Sequence, residues 1–463
     1  DGIGPEIMGV TLDILREAGA PLEIHKIDIG EKVYLSGEKT GIADASWETI
    51  RNTQAFLKAP ITTPQGGGFK SLNVTVRTTL GLFANVRPSV AYAPFVATKH
   101  PHMNVVVMRE NEEDLYTGIE YRQSEQAVHA LKVITQPGSE KIVRFAFEYA
   151  RQNGRKKVTC FTKDNILKLS DGLFHNTFET IAKEYPEIEN EHWIVDIGAA
   201  KLADSPEAFD VVVMPNLYGD ILSDVAAQIA GSVGLAGSAN IGTQGAMFEA
   251  IHGSAPRRAG QNLANPSGLL HGAIMMLVHL GETQSASLIH NAWLKTIEEG
   301  IHTYDIFDEA VSKEKVGTKE FGQAIIARLG QNPATLKAAH YRPQHQKPAL
   351  AEPNTPASKK TVGVDIFIDY PGSLDDLLPK LQQGPLTLTS ISNRGVSVWP
   401  TRHPETFCID QWRCRYTAKG APLTHQQILD QLQSLLSQEL DFTHTENLCT
   451  FDGTPFYSQA HES

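Results

Sequence analysis

The feature that most constrains the fold is a junction, where the apolar run FDVVVM at 209–214 passes directly into PNLYGDILSD at 215–224. The run reads as a buried strand. The spacing of Ile221, Leu222, Val225 and Ile229 reads as a helix that begins at once after it. Asp220 and Asp224 then lie one turn apart on one face, near the helix start. Two carboxylates so placed repel each other, and the positive helix end offsets only part of that cost. A hard divalent cation would offset far more, because oxygen ligands neutralise it directly. Taken alone, the pair reads more simply as a helix N-cap at Asp220 and a solvated acid at Asp224, so the rest of the chain must decide.

The 463 residues suit about three domains, or one large two-lobed unit with an appendage. With 41% hydrophobic and 20% charged residues the chain is globular and can bury a sizeable core. A formal charge of −12 argues against nucleic acid or an anionic membrane as partner and leaves small anions open. Cys160, Cys408, Cys414 and Cys449 form no C-x-x-C pair and no zinc spacing. Cys408 and Cys414 are too far apart along one extended strand to bond, so a reducing compartment is expected. No apolar run approaches the roughly 20 residues of a membrane span. The sequence opens on a Gly-rich turn, DGIGPE, with no strand before it. The true N-terminus is therefore expected upstream, where a targeting peptide would lie.

Along the chain, a helix pattern at 6–18 is followed by expected strands at Leu22–Ile29 and Ala55–Ala59, with a helix at Trp47–Asn52 between them. This alternation argues for βαβ units and a largely parallel sheet. PITTPQGGGFK at 60–70 is a loop at a strand end, where such proteins bind ligands. The strand Asn104–Met108 delivers Arg109, and a β-rich excursion runs on to Gln136. Lys163, Asp196 and Asp220 all fall just past expected strands, where chemistry sits in such sheets. A long apolar helix near Leu269–Leu280 reads as core or as part of a dimer bundle. The Pro-rich stretch 340–361 reads as a linker. Residues 362–463 read as two helices among antiparallel strands, a ferredoxin-like α+β module without catalytic spacing.

Arg77, Arg87 and Arg109 flank one loop-rich region together with Ser71, Asn73 and Tyr116. A guanidinium binds carboxylate bidentately, so three converging suit a di- or tricarboxylate. For any one of them a surface ion pair is the simpler reading.

Four segments occur here in one order: SLNVTVRTTLGLFANVRP at 71–88, RENEEDLYTGIEY at 109–121, GDILSD at 219–224, and the EAIHGSAP run from 249. Together they resemble the isocitrate/isopropylmalate dehydrogenase family of decarboxylating 2-hydroxy-acid dehydrogenases, over residues 1 to about 335. Ser71-x-Asn73 ahead of Arg77 resembles the isocitrate branch. The module after residue 361 is similar to the C-terminal extension of a bacterial subgroup.

The resemblance implies an α/β, isopropylmalate-dehydrogenase-like two-lobed fold that is not Rossmann, plus the C-terminal module. Its large cofactor-binding domain would be 1–82 with 231–339, and its small domain, with a dimer clasp and the metal site, 83–230. Ser71, Asn73, Arg77, Arg87 and Arg109 would hold isocitrate. Asp220 and Asp224 would bind Mg2+ or Mn2+ with Asp196 of a partner subunit, and Tyr116 with the partner's Lys163 would move protons. Thr62, Thr63 and Glu249 would lie near the nicotinamide, and His252, Gly253 and Asn265 near the adenosine. Arg257 and Arg258 stand where NAD-dependent members carry an acid and an apolar residue, which favours NADP over NAD, although relatives using NADP often show Lys-Tyr there. The implied protein is a homodimer with shared active sites, located in the cytoplasm, or in a mitochondrial matrix if a leader precedes residue 1. The competing expectations are an enzyme acting on isopropylmalate, homoisocitrate or tartrate, and a non-catalytic regulatory subunit.

Overall fold

Strands whose residues are almost all buried, Asn104–Glu110, Lys157–Thr162, Val211–Met214 and Ala246–Ala250, form the spine of a computed structural model that describes residues 1–62, 71–342, 357–418 and 422–459. They are apolar on both faces because helices cover both sides of the sheet. Among the described residues the chain forms two compact units, Asp1–Thr117 with Val133–Ala351, and Gly118–Lys132 with Glu352–Ser463.

The first unit is built on one eight-stranded sheet, in the order Phe56–Lys58, Ala246–Ala250, Gly237–Ile241, Ala84–Val90, Asn104–Glu110, Val211–Met214, Lys157–Thr162, Glu189–Ile194. The four strands at the Glu189–Ile194 end run parallel, but Gly237–Ile241 is antiparallel to both neighbours, and Ala84–Val90 to Asn104–Glu110. The sheet is thus mixed rather than largely parallel, because the short turn at 242–245 folds two consecutive strands into a hairpin. The expected strand at Leu22–Ile29 does not form. Its only ladder contact is the bridge Ile29–Ile42, and Ile24 is exposed, so its alternating pattern never meets a partner strand. The apolar helix Ser267–His279 is core within the chain, packed with Thr283–Glu298 around Trp293. All four cysteines are free.

The expected junction is present: Val211–Met214 leads through Pro215 into the helix Asn216–Ala230. The N-cap position is Pro215, so Asp220 lies inside the helix and the simpler N-cap reading of it fails. Gly219 lets this helix close on the neighbouring strand. A Cβ there would stand 2.6 Å from Arg109 Cγ.

The second unit has the strand–helix–strand–strand–helix–strand order of a ferredoxin-like module. Its core strands are Lys359–Asp369, Thr387–Asn393, Gln411–Thr417 and Asp441–Phe451, its helices Leu374–Leu381 and His425–Ser437, and the short strands Val396–Trp399 and Thr454–Pro455 add one strand at each edge of a six-stranded sheet. Part of the expected linker is strand, since Lys359–Asp369 begins inside it, and 343–356 lie outside the described residues. The β-rich excursion expected up to Gln136 contains a hairpin, Glu120–Arg122 with Val128–Ala130. It packs within this second unit. Ser124 donates to Asp410 (2.6 Å), His129 meets Gln411 (2.8 Å) and Gln123 meets His444 (2.8 Å).

Candidate active site

The site grows from the helix that Pro215 starts, because its first two turns face the ends of the strands carrying Arg87 and Arg109. Asp220 sits at the centre. One carboxylate oxygen accepts from Arg109 Nη1 and lies 3.3 Å from Arg87 Nη1, and the other accepts from the Tyr116 hydroxyl. Arg87 also reaches Asp224 at 3.6 Å, so the two acids a turn apart converge on one guanidinium. Ser223 and Asn85 accept from Arg87 (2.7 and 2.6 Å), and Asn216 accepts from Arg109 Nε (2.9 Å).

A polar chain continues from here into the second half of the sheet. Asn85 Nδ2 donates to Asn240 (3.1 Å), and Asn240 Nδ2 to Glu249 (2.9 Å), whose carboxylate also pairs with Lys58 (2.8 Å) and Arg77 (3.0 Å). Ser71 sits at the N-cap position of the helix Leu72–Thr79, and Asn73 and Arg77 lie on that helix. The three arginines expected to converge do so, tied by buried amides and carboxylates.

Three charges in a buried space perturb one another. Burial, then the Arg87 and Arg77 guanidiniums, push Arg109 down to about 9, so it stays cationic at neutral pH. Burial raises the Asp220 carboxyl, but Arg109 and Arg87 outweigh it and hold it below its ordinary value. Burial and the neighbouring Asp220 charge hold Asp224 above its ordinary value against the pull of Arg87. Burial would raise Glu249, yet Lys58 and Arg77 hold it well below the usual carboxylate range. Burial also raises Tyr116, which stacks under Arg109 at 4.7 Å and remains a neutral proton donor.

Several buried polar atoms have no hydrogen-bond partner: Arg109 Nη2, Arg77 Nε and Asn73 Oδ1. A buried donor left unmet costs about 1–3 kcal/mol, so a site with two of them is shaped for an anion that supplies acceptors. Asp220 and Asp224 fit a divalent cation, since Asp224 is half-exposed and its charge is opposed by Asp220.

Lys163 pairs with Asp196 instead (3.0 Å) and makes no ion pair with Asp220 or Asp224 among the described residues. Both stand just past strands as expected, and Asp171 accepts from the Lys163 backbone N–H (2.6 Å).

The loop after Ala246–Ala250 borders a separate cavity of about 390 Å³, walled by His252, Gly253, Arg258, Asn265, Tyr304 and Asp305 among others. His252 keeps its Nδ1 at the Gly253 carbonyl (3.1 Å) and leaves a buried Nε2 without a partner. Burial lowers its pKa, so the ring is neutral. Arg258 lies over the Tyr304 ring at 4.7 Å, and Arg257 and Arg258 are both exposed. Thr62 meets Ser254 at 2.7 Å. Thr63 lies outside the described residues. A larger cavity, about 960 Å³, lined by Tyr92, His271 and His290, contains none of the expected site residues.

Sequence reasoning missed Lys58, Asn85, Asn240 and Asp305. Lys58, a charged residue in the short strand Phe56–Lys58, was the readable signal of a buried ion pair. Asp305 carried no such signal. It accepts from Ser232, Asn265 and Thr303.

Residues 1–325 match the family described as isocitrate/isopropylmalate dehydrogenase, and 359–463 match the bacterial isocitrate dehydrogenase C-terminal domain. The chain is 54% identical over 468 residues to a Rickettsia bellii protein named isocitrate dehydrogenase [NADP], covering 99% of this chain and 97% of that one. A Thermus thermophilus protein of the same name is 44% identical over 473 residues, covering 99% and 94%. A solved Thermus thermophilus structure superposes with a TM-score of 0.94 at 42% identity, covering 99% of this chain and 94% of that one.

Proposed function

The chain belongs to the isocitrate/isopropylmalate dehydrogenase family, and from that premise we propose that it oxidises and decarboxylates isocitrate to 2-oxoglutarate and CO2, reducing NADP. The observation that carries the substrate is the convergence of Arg77, Arg87 and Arg109 with unmet buried donors beside Asp220 and Asp224. That arrangement suits three carboxylates next to a cation.

In this reading Ser71 and Asn73 join the arginines on the substrate. Asp220 and Asp224, with Asp196 of a partner subunit, would hold Mg2+ or Mn2+. When bound, the cation would supply positive charge beside the substrate's hydroxyl and carboxylate oxygens, and NADP would supply the hydride acceptor. The partner's Lys163 takes the hydroxyl proton. Loss of CO2 leaves an enolate, and Tyr116 gives its proton to C3 while Arg109 and Asp220 fix its ring and hydroxyl. Thr62, Thr63 and Glu249 are assigned to the nicotinamide end of NADP, and His252, Gly253, Arg257, Arg258 and Asn265 to the adenosine end. Glu249 acts there as a buried anchor of Arg77.

We divide the chain into a cofactor-binding domain, 1–82 with 231–339, a small domain, 83–230, whose segment 118–132 packs with the C-terminal module, a link, 340–361, whose last residues begin that module's first strand, and a C-terminal module, 362–463, that serves assembly rather than chemistry. A homodimer is supported by the apolar side chains beside the acids. Ile197, Ile221 and Val225 are exposed next to Asp196, Asp220 and Asp224. No helix among the described residues is long and apolar enough to cross a membrane, and we place the protein in the cytoplasm.

The test is a substrate panel with Mn2+, following reduced cofactor by absorbance. Isocitrate is expected to turn over, and isopropylmalate, homoisocitrate and tartrate at least a hundredfold less well. Turnover of one of those acids in place of isocitrate would overturn the assignment.

A further inference from the structure

Behind Lys163 lies a cluster that the proposed chemistry does not use. Asp164 follows Lys163, His175 lies on the helix Ser170–Ala182, and His192 on the strand Glu189–Ile194. One ligand atom from each falls within 4.8 Å of the other two. His175 Nδ1 meets Asp164 Oδ2 at 2.7 Å, and His192 Nε2 lies 4.0 Å from Asp164 Oδ1 and 2.8 Å from Thr162 Oγ1. The two imidazoles stack at 3.5 Å with 17° between their planes. All three side chains are about four-fifths buried.

We propose that Asp164, His175 and His192 form a second metal site, selective for a borderline transition cation such as Zn2+ or Co2+, distinct from the carboxylates at Asp220 and Asp224. Neutral imidazoles paired with one carboxylate are the donor set such cations prefer, whereas Mg2+ and Mn2+ favour oxygen alone. A neutral imidazole always carries one nitrogen lone pair, and two stacked rings cannot both be imidazolium without repelling. Glu179, one turn beyond His175, places Oε1 3.5 Å from His175 Nε2. With a metal on Nδ1, that carboxylate would accept from Nε2–H, the orienting contact that metal-bound histidines usually have. The cation would displace the proton shared by His175 and Asp164, the rings would splay from their stack, and water or the Thr162 hydroxyl would complete four ligands. It would then clamp two strand ends and a helix directly behind Lys163. The site is independent of which acid the enzyme oxidises.

The test uses the full chain, stripped with chelator and then held in saturating Mg2+ to fill the oxygen site. Titrated Co2+ is expected to give the intense visible absorption of four-coordinate cobalt at one ion per chain, and Zn2+ to raise the thermal midpoint by several degrees. Both effects should vanish in His192→Ala and in the milder His175→Gln, while the cobalt band survives Asp220→Asn. A Mg2+-loaded protein that takes up no Co2+, or a band that persists in either histidine variant, would overturn the site. If His192→Ala fails to fold, His175→Gln alone decides.

Discussion

In the proposed reading, cofactor choice rests on two exposed side chains, Arg257 and Arg258. Arg258 has no carboxylate partner among the described residues and is held over the Tyr304 ring, at the wall of the cavity that His252 and Asn265 also line. The nearby acid there, Asp305, accepts from Ser232, Asn265 and Thr303 and forms no ion pair with the arginine among the described residues. A ribose 2′-phosphate would gain charge-assisted bonds worth about 1.5–3 kcal/mol, a preference of roughly ten- to a hundredfold for NADP. Arg257→Asp with Arg258→Ile should erase that preference, measured as kcat/KM with each cofactor; an unchanged ratio would place the selectivity elsewhere. The arginine pair was legible in the sequence because charge at a known loop position has few uses. Tyr304 and Asp305 were not, since only the fold brings a distant segment against that loop.

At the scale of elements, the helix Asn216–Ala230 was readable from its period, but its closeness to the Arg109 strand depends on Gly219. Alanine there would improve helix propensity by about 1 kcal/mol and yet force Arg109 aside. Gly219→Ala should therefore raise the KM for isocitrate tenfold or more with a thermal midpoint within a few degrees of the parent. An unchanged KM would show that Arg109 is not held by this contact. The false strand at Leu22–Ile29 and the hairpin packed with the C-terminal module mark the limit of local patterns, because pairing partners are a tertiary property. Buried histidines are another such case. His271 and His290, on successive helices, are pushed down by burial to about 4 and about 3, so the folded chain refuses protons that the unfolded chain binds below about 6.5. Their stabilisation is complete above that pH and is lost on acidification, each by about 2 kcal/mol at pH 5. The thermal midpoint should hold steady above pH 7 and fall steeply towards pH 4, with a shallower fall in His271→Gln/His290→Gln. Equal slopes in parent and variant would exclude these rings as the cause.

At the scale of the whole molecule, the chain carries every group the proposed reaction needs but divides them. Tyr116, Arg87 and Arg109 gather on Asp220, whereas Lys163 and Asp196 hold each other. The exposed Ile197, Ile221 and Val225 beside those acids are the kind of apolar surface that a second copy covers. In a two-fold dimer each site would draw Tyr116 from one chain and Lys163 from its neighbour. A Lys163→Ala chain and a Tyr116→Phe chain, each nearly inactive alone, then complement. One site of the mixed dimer inherits both defects and the other neither. Unfolding and refolding the two variants together, with the mixed dimer isolated by differential tags, should restore about half the wild-type turnover per dimer, one good site of two. Mixed dimers that stay as inactive as either parent would mean that each chain completes its own site, and that Lys163 must swing to Asp220 within one subunit.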